Sequence, residues 1–254
     1  MLLRDMMRNE RAGLSTRLIE ALRSARHVVA LTGSGLSAES GIPTFRGVDG
    51  YWRRYRVEDL ASPHGFARDP RLVWTWYNER WQRCRTAEPN PGHRALAELE
   101  RALPRVTVVT QNVDGLHLRA GSRNVLELHG TLRKAYCTRC AERAPMPDDG
   151  WPLDAIDHDC GGRMRPGVVW FGEALPHGAW EAAQAAVASA DVLLVVGTSA
   201  LVYPAAGLWE SAPRGCITVE INPEETPISD RLDERYASPA GSLLPQLLDA
   251  AQRR

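Results

Sequence analysis

Four short runs of mostly apolar residues constrain this chain most: Val28-Val29-Ala30-Leu31, Val106-Thr107-Val108-Val109, Val192-Leu193-Leu194-Val195-Val196 and Ile217-Thr218-Val219-Glu220-Ile221. A strand with one face in water alternates apolar and polar residues, whereas a strand covered on both faces reads as a continuous apolar run. Such runs belong in a parallel sheet with helices on both sides. Helical periodicity accompanies them, at Leu14, Leu18, Ile19 and Leu22, at Leu96, Leu99 and Leu103, and at Trp180, Ala183 and Val187. The expected fold is therefore α/β, a doubly wound and mostly parallel sheet.

Two segments interrupt this alternation. Residues 48–91 carry four of the eight tryptophans (Trp52, Trp74, Trp76, Trp81) and no strand-like run, which predicts a helical insert. Residues 133–165 hold Cys137, Cys140 and Cys160 amid Pro, Asp and Gly. So little apolar material cannot build a core of its own, which invites a metal staple. The expected organisation is a large domain of residues 1–47, 92–132 and 166–254, with a small inserted domain made of a helical module (48–91) and a zinc-binding module (133–165). Lys plus Arg equals Asp plus Glu at 31 each, so no global field points to nucleic acid or a membrane surface as partner. No apolar run approaches the roughly 18 residues of a membrane span, and Met1 to Arg11 lacks a signal-peptide core. With three of the five cysteines clustered as metal ligands would be, the expectation is a cytosolic chain.

Gly33-Ser34-Gly35-Leu36-Ser37-Ala38 follows the first run and satisfies G-x-G-x-x-[G/A]. Glycines there permit a tight turn and let backbone amides approach a pyrophosphate, although a generic strand-to-helix turn uses the same pattern. A standard dehydrogenase would next close a second strand on an acidic residue about 20 positions later. Here the tryptophan-rich insert comes instead. Four more apolar runs end in small or polar groups: Thr110-Gln111-Asn112-Val113-Asp114, His129-Gly130, Gly197-Thr198-Ser199 and Asn222-Pro223-Glu224. The carboxyl edge of an open α/β sheet is where ligands bind, so five such endings predict one composite site.

GSGLSAESGIPTFRG, TQNVDGLH, LELHGTL, RPGVVWFGE, GTSALVYPA and INPEE, in this order, resemble the sirtuin family over about Gly33 to Glu225. The resemblance implies a Rossmann-like large domain, NAD as cosubstrate, acylated-lysine proteins as substrates and a structural zinc. It also implies roles. Gly33, Ser34, Gly35, Leu36, Ser37, Ala38, Glu39 and the segment onward to Trp52 would wrap NAD, with Phe45 and Arg46 beside the nicotinamide ribose. Asn112 and Asp114, flanking Val113, would bind nicotinamide and favour its departure, and Gln111 would touch the ribose. Gly197, Thr198 and Ser199 would meet phosphate and ribose, Asn222, Pro223 and Glu224 the adenosine end, and Ala240 the adenine. Ser34 departs from the family's usual alanine by one hydroxyl.

The implied reaction joins the acyl-lysine carbonyl oxygen to the ribose carbon as nicotinamide leaves. A base then activates a ribose hydroxyl, and the products are free lysine, nicotinamide and O-acyl-ADP-ribose. His129 matches the catalytic histidine, whose near-neutral pKa suits a general base. Val168-Val169-Trp170-Phe171-Gly172 resembles the segment that pairs with the substrate peptide as an added strand.

Pro70 to Trp81 reads as a helix whose Trp74, Tyr77 and Trp81 share one face, with Arg80 three residues after Tyr77. Tyr77-Asn78-Glu79-Arg80 resembles the Tyr-x-x-Arg signature of sirtuins that remove succinyl, malonyl and glutaryl groups, in which the pair holds the acyl carboxylate. The alternatives are a plain deacetylase in which both residues are structural, and an NAD or ADP-ribose sensor or ADP-ribosyltransferase in the same pocket. Cys137-Thr138-Arg139-Cys140 and Cys160 match three zinc ligands. Where the family has a fourth cysteine this chain has Asp157, followed by His158, and the expected fourth ligand is Asp157, with His158 the alternative.

Overall fold

The computed structural model describes residues 13–44 and 56–252. Helix α1 (Thr16–Ser24), capped by the Ser15 hydroxyl, leads into strand β1 (Val28–Thr32) and then the short helix α2 (Ser34–Ala38). Helices α3 (Val57–Leu60), α4 (Pro63–Arg68) and α5 (Pro70–Thr86) follow. Asp69 caps α5 and Pro70 occupies its first turn, where a missing N–H costs nothing. Helix α6 (Pro91–Ala102), strand β2 (Val106–Thr110), helix α7 (Leu116–Arg119) and strand β3 (Val125–Glu127) complete the first half.

Strands β4 (Gly130–Cys137), β5 (Arg143–Pro145) and β6 (Met164–Val168) form a small antiparallel sheet in the order β5-β4-β6. Helix α8 (His177–Ala188) and strands β7 (Val192–Val196), β8 (Ile217–Ile221) and β9 (Glu234–Tyr236) follow, with helix α9 (Ala240–Gln252) closing the described chain. The main sheet is six-stranded, in the order β3-β2-β1-β7-β8-β9, and every pairing is parallel. Edge strand β9, Glu-Arg-Tyr, has no apolar run and is invisible to that signal.

The apolar runs resolve into two faces. Val28, Ala30, Val106, Val108, Val192 and Leu194 pack with α1, α6 and α9, while Val29, Leu31, Val109, Leu193 and Val195 pack with α8. Alternation is present after all, but apolar groups fill both sides. A third core joins Trp74, Trp76, Tyr77 and Trp81 of α5 to Leu132, Ala135, Met164 and Trp170 around the small sheet. Among the described residues no helix is long and apolar enough to cross a membrane.

Chain order reverses between β1 and its neighbours, with β2 on one side and β7 on the other. Thr32 lies level with Thr110 and with Val196, so the loops after all three strands leave the sheet at one height. That switch point is where an open parallel sheet leaves a crevice for a ligand.

Candidate active site and metal centre

A cleft of about 620 Å³ opens at this edge, within the usual range for small-molecule sites. The loops after β1 and β7 meet there backbone to backbone. Gly35 N–H donates to Gly197 O at 2.7 Å, and Gly33 N–H to Val196 O at 3.0 Å. A Cβ on Gly35 would stand 2.8 Å from Gly197 Cα, and one on Gly197 (φ +57°) only 2.4 Å from the Leu36 nitrogen. These glycines therefore let two loops interlock and form the floor of the cleft. Asn90, which caps α6, donates its Nδ2 to Leu36 O at 2.7 Å and so ties α2 down from behind.

His129 follows the short strand β3 and faces this cleft. Its Nδ1 lies 3.1 Å from the Gln111 carbonyl oxygen, which can only accept, so Nδ1 carries the proton and Nε2 keeps its lone pair. Burial lowers the His129 pKa from its ordinary value, opposed by the Gln111 bond, so the ring is a neutral base. The His129 carbonyl accepts the Val169 N–H at 2.9 Å, which docks the segment after β6 beside it.

Asn112 donates its side-chain NH₂ to Gly33 O (3.0 Å) and to Ser37 Oγ (3.1 Å), which leaves its oxygen as the group free to turn to the cleft. Ser37 passes its own proton to Asp114 Oδ2 at 2.8 Å, and the other Asp114 oxygen accepts the Leu116 N–H at 2.9 Å. Burial raises the Asp114 pKa, and these bonds act against the rise. Farther along, Gln111 donates to Thr198 Oγ1 (3.0 Å) and Asn222 to Thr198 O (2.9 Å), which links the loops after β2, β7 and β8. Tyr77 and Arg80, 2% and 6% exposed, line the same cleft as His129. The Arg80 guanidinium lies 4.7 Å from the Trp76 ring and 5.5 Å from the Tyr77 ring.

A second constellation sits at the end of the small sheet. Cys137, Cys140, His158 and Cys160 bring four donor atoms within 4.8 Å of one another, and all three thiols are free. The Cys137–Cys160 sulfurs are 3.4 Å apart, and His158 Nδ1 is 3.2 Å from Cys160 Sγ and 3.9 Å from Cys140 Sγ. Tetrahedral zinc with Zn–S near 2.3 Å needs edges of about 3.5–3.8 Å, so this donor set fits. The backbone N–H of Cys140 and then that of Arg139 help draw the Cys137 thiol down to about 7, toward the thiolate that binds metal. His158 Nε2 faces Glu142 at 3.3 Å, the carboxylate support that metal-binding imidazoles use.

The expectation of Asp157 as fourth ligand is corrected here. Asp157 pairs as an isolated bridge with Arg163, and adjacent residues of an extended segment point oppositely. Its carboxylate, 87% exposed, turns outward to Arg163 at 3.3 Å, and His158 turns inward.

A sequence model of the Sir2 family matches residues 33–204. The chain belongs to the Sir2 family. It is 49% identical to NAD-dependent protein deacylase 2 of Pyrobaculum aerophilum (92% of this chain, 95% of the relative) and 48% identical to NAD-dependent protein deacylase 1 of Archaeoglobus fulgidus (92% and 97%). A Sir2 homologue solved with NAD superposes with a TM-score of 0.88 at 44% identity, covering 98% of both chains. A Sir2 variant solved with a deacetylated peptide and 3′-O-acetyl-ADP-ribose gives 0.85 at 32% identity, covering 94% of this chain and 98% of that one.

In this Sir2 chain Gly33, Ser34, Gly35, Ala38, Gln111, Asn112, Val113, His129, Gly197, Thr198, Ser199, Asn222, Pro223 and Glu224 all line the cleft, as do Val168 to Gly172. Leu36, Ser37, Glu39, Asp114 and Ala240 do not line it. Leu36 and Ala240 belong to the core, Ser37 and Asp114 orient Asn112, and Glu39 caps α9 through Gly241 N–H at 2.8 Å. Phe45, Arg46 and Trp52 lie outside the described residues. Leu201 and Tyr203, 52% and 73% exposed, line the cleft without an assigned role from sequence. Such exposure of large apolar groups is a signal only coordinates supply.

Proposed function

We propose that this Sir2-family NAD-dependent protein deacylase prefers acyl groups that end in a carboxylate, namely succinyl, malonyl and glutaryl, and retains some deacetylation. The observation that carries this is the placement of Tyr77 and Arg80 in one cleft with His129. A guanidinium held among aromatic rings and 6% exposed is poorly screened, so a carboxylate reaching it forms a strong charge-assisted contact.

In this reading NAD supplies the ribose carbon that accepts the acyl oxygen and the hydroxyl that completes acyl transfer. The chain supplies the rest. Asn112, fixed by Gly33 and Ser37, offers its carbonyl oxygen to the carboxamide N–H of nicotinamide. His129 takes the ribose proton at Nε2, since Gln111 occupies its Nδ1–H. The backbone of Val168 to Gly172 holds the peptide, so preference for peptide sequence is broad. The test compares acetyl, succinyl, malonyl and glutaryl peptides of one sequence with NAD, on the parent and on Arg80→Met. Loss of one charge-assisted bond of about 1.5–3 kcal/mol lowers the succinyl-to-acetyl ratio of kcat/KM roughly ten- to 150-fold. Equal loss of both activities sinks the proposal.

A further inference from the structure

A partly buried ion pair helps hold the segment that follows β6. Arg165 of β6, 5% exposed, donates to the Val168 carbonyl at 2.9 Å and to the Glu173 carboxylate at 2.9 Å. The same Glu173 oxygen accepts the Trp170 backbone N–H at 2.8 Å, and Glu173 N–H returns to Trp170 O at 3.0 Å. Val168, Trp170 and Glu173 are thereby tied together. The Trp170 ring lies under the Arg165 guanidinium, 3.4 Å from carbon to centroid, and packs on Phe66 at 5.2 Å. An indole gripped in this way does not rotate freely. Its Nε1 lies 3.0 Å from the Tyr77 hydroxyl oxygen.

Chemistry sets the direction of that last bond. An indole N–H only donates, so the tyrosine oxygen accepts, and the single phenolic proton points elsewhere. Among the described residues no protein group takes that proton. Tyr77 borders the cleft beside Arg80, so a carboxylate that reaches the guanidinium meets a hydroxyl proton. Were the oxygen to present a lone pair instead, two acceptors would face each other and repel. Burial also raises the Tyr77 pKa, and the nearby Arg80 charge and the indole bond act against the rise without removing it, so the proton stays on the phenol.

We propose that Trp170 is a specificity-determining positioning residue, whose indole N–H turns the Tyr77 hydroxyl proton toward the acyl end of the cleft and makes it a donor to an acyl carboxylate. This rests on the acid-acyl preference put forward above and names the device that sharpens it.

The experiment uses the full chain with NAD and two peptides of one sequence, carrying succinyl-lysine or acetyl-lysine. The parent, Trp170→Phe, Tyr77→Phe and the double variant are compared by their succinyl-to-acetyl ratio of kcat/KM. Trp170→Phe keeps a ring for packing and removes the donor. The expected result is a roughly five- to tenfold fall in the ratio when Tyr77 is present, the orientation-dependent share of one charge-assisted hydrogen bond. In the Tyr77→Phe background the same substitution leaves the ratio unmoved, because no hydroxyl remains to orient. Trp170→His, which retains a ring N–H, falls between parent and Trp170→Phe and also serves if the phenylalanine variant fails to fold. An equal fall in both backgrounds assigns the effect to packing and overturns the proposal, as does no fall in either. A parent ratio at or below one removes the acid-acyl preference itself, and this role with it. A parent ratio well above one without the Tyr77 coupling removes only the role of Trp170.

Discussion

Replacing Gly197 with alanine attacks the joint on which the cleft is built. Gly197 holds φ at +57°, where an L-residue costs about 1–2 kcal/mol more than glycine. The added methyl would lie 2.4 Å from the Leu36 nitrogen, 2.8 Å from the Gly35 carbonyl carbon and 3.0 Å from Gly35 Cα. All three are backbone atoms, so no flexible side chain can yield, and overpacking of this kind costs about 1–3 kcal/mol. Separating the loops also strains the 2.7 Å bond from Gly35 to Gly197, a further ~1 kcal/mol. Alanine returns about 0.4–1 kcal/mol by stiffening the unfolded chain. The net expectation is a loss of about 2–5 kcal/mol, a large part of the 5–15 kcal/mol typical of a folded domain. Urea unfolding should show a lower midpoint at unchanged slope, and the KM for NAD should rise as Gly33 to Gly35 shift. A loss below about 1 kcal/mol with an unchanged KM would refute the idea that backbone interlock shapes this site.

Further outcomes follow from the site and the metal centre. Because burial holds the His129 pKa below 6.5, and a base works only above its pKa, kcat/KM should fall on the acid side with a midpoint below pH 6.5; a midpoint above 7 contradicts that assignment. His129→Ala should lower turnover by about 10²- to 10⁴-fold at pH 7.5 while peptide binding, read by calorimetry, persists. His158→Ala should abolish stoichiometric zinc by metal analysis and lower Tm, Glu142→Ala should weaken zinc about 10- to 100-fold, and Asp157→Ala should retain one zinc per chain. Loss of zinc in Asp157→Ala with retention in His158→Ala would reverse the ligand assignment.

Much of the site was legible because its residues sit at the ends of apolar runs, and a parallel sheet brings all such ends to one edge. Gln111, Asn112, Gly197 and Asn222 are separated by up to 111 positions, yet each follows a strand whose pairing sets its height. What the pattern could not say is which residues of a motif touch the ligand and which hold those that do. Asp114 and Asn112 stand two apart, yet one orients the other through Ser37, a residue 75 positions away from Asn112. Strand β9 escaped because Glu234-Arg235-Tyr236 holds no apolar run, whereas the other edge strand, β3, does.

By itself the order of residues determined the buried parallel sheet, the glycine-bearing strand ends, a histidine closing one of the apolar runs and a cysteine cluster short of one ligand. Each of these is local, since burial, turn geometry and ligand spacing restrict composition within a few positions. Tertiary structure alone decided between Asp157 and His158, because neighbours in an extended segment face opposite ways and both can bind zinc. It also decided that Trp170 donates to Tyr77 across 93 residues. No periodicity reports a hydrogen bond between side chains that only the packing of α5 on the small sheet brings within 3 Å.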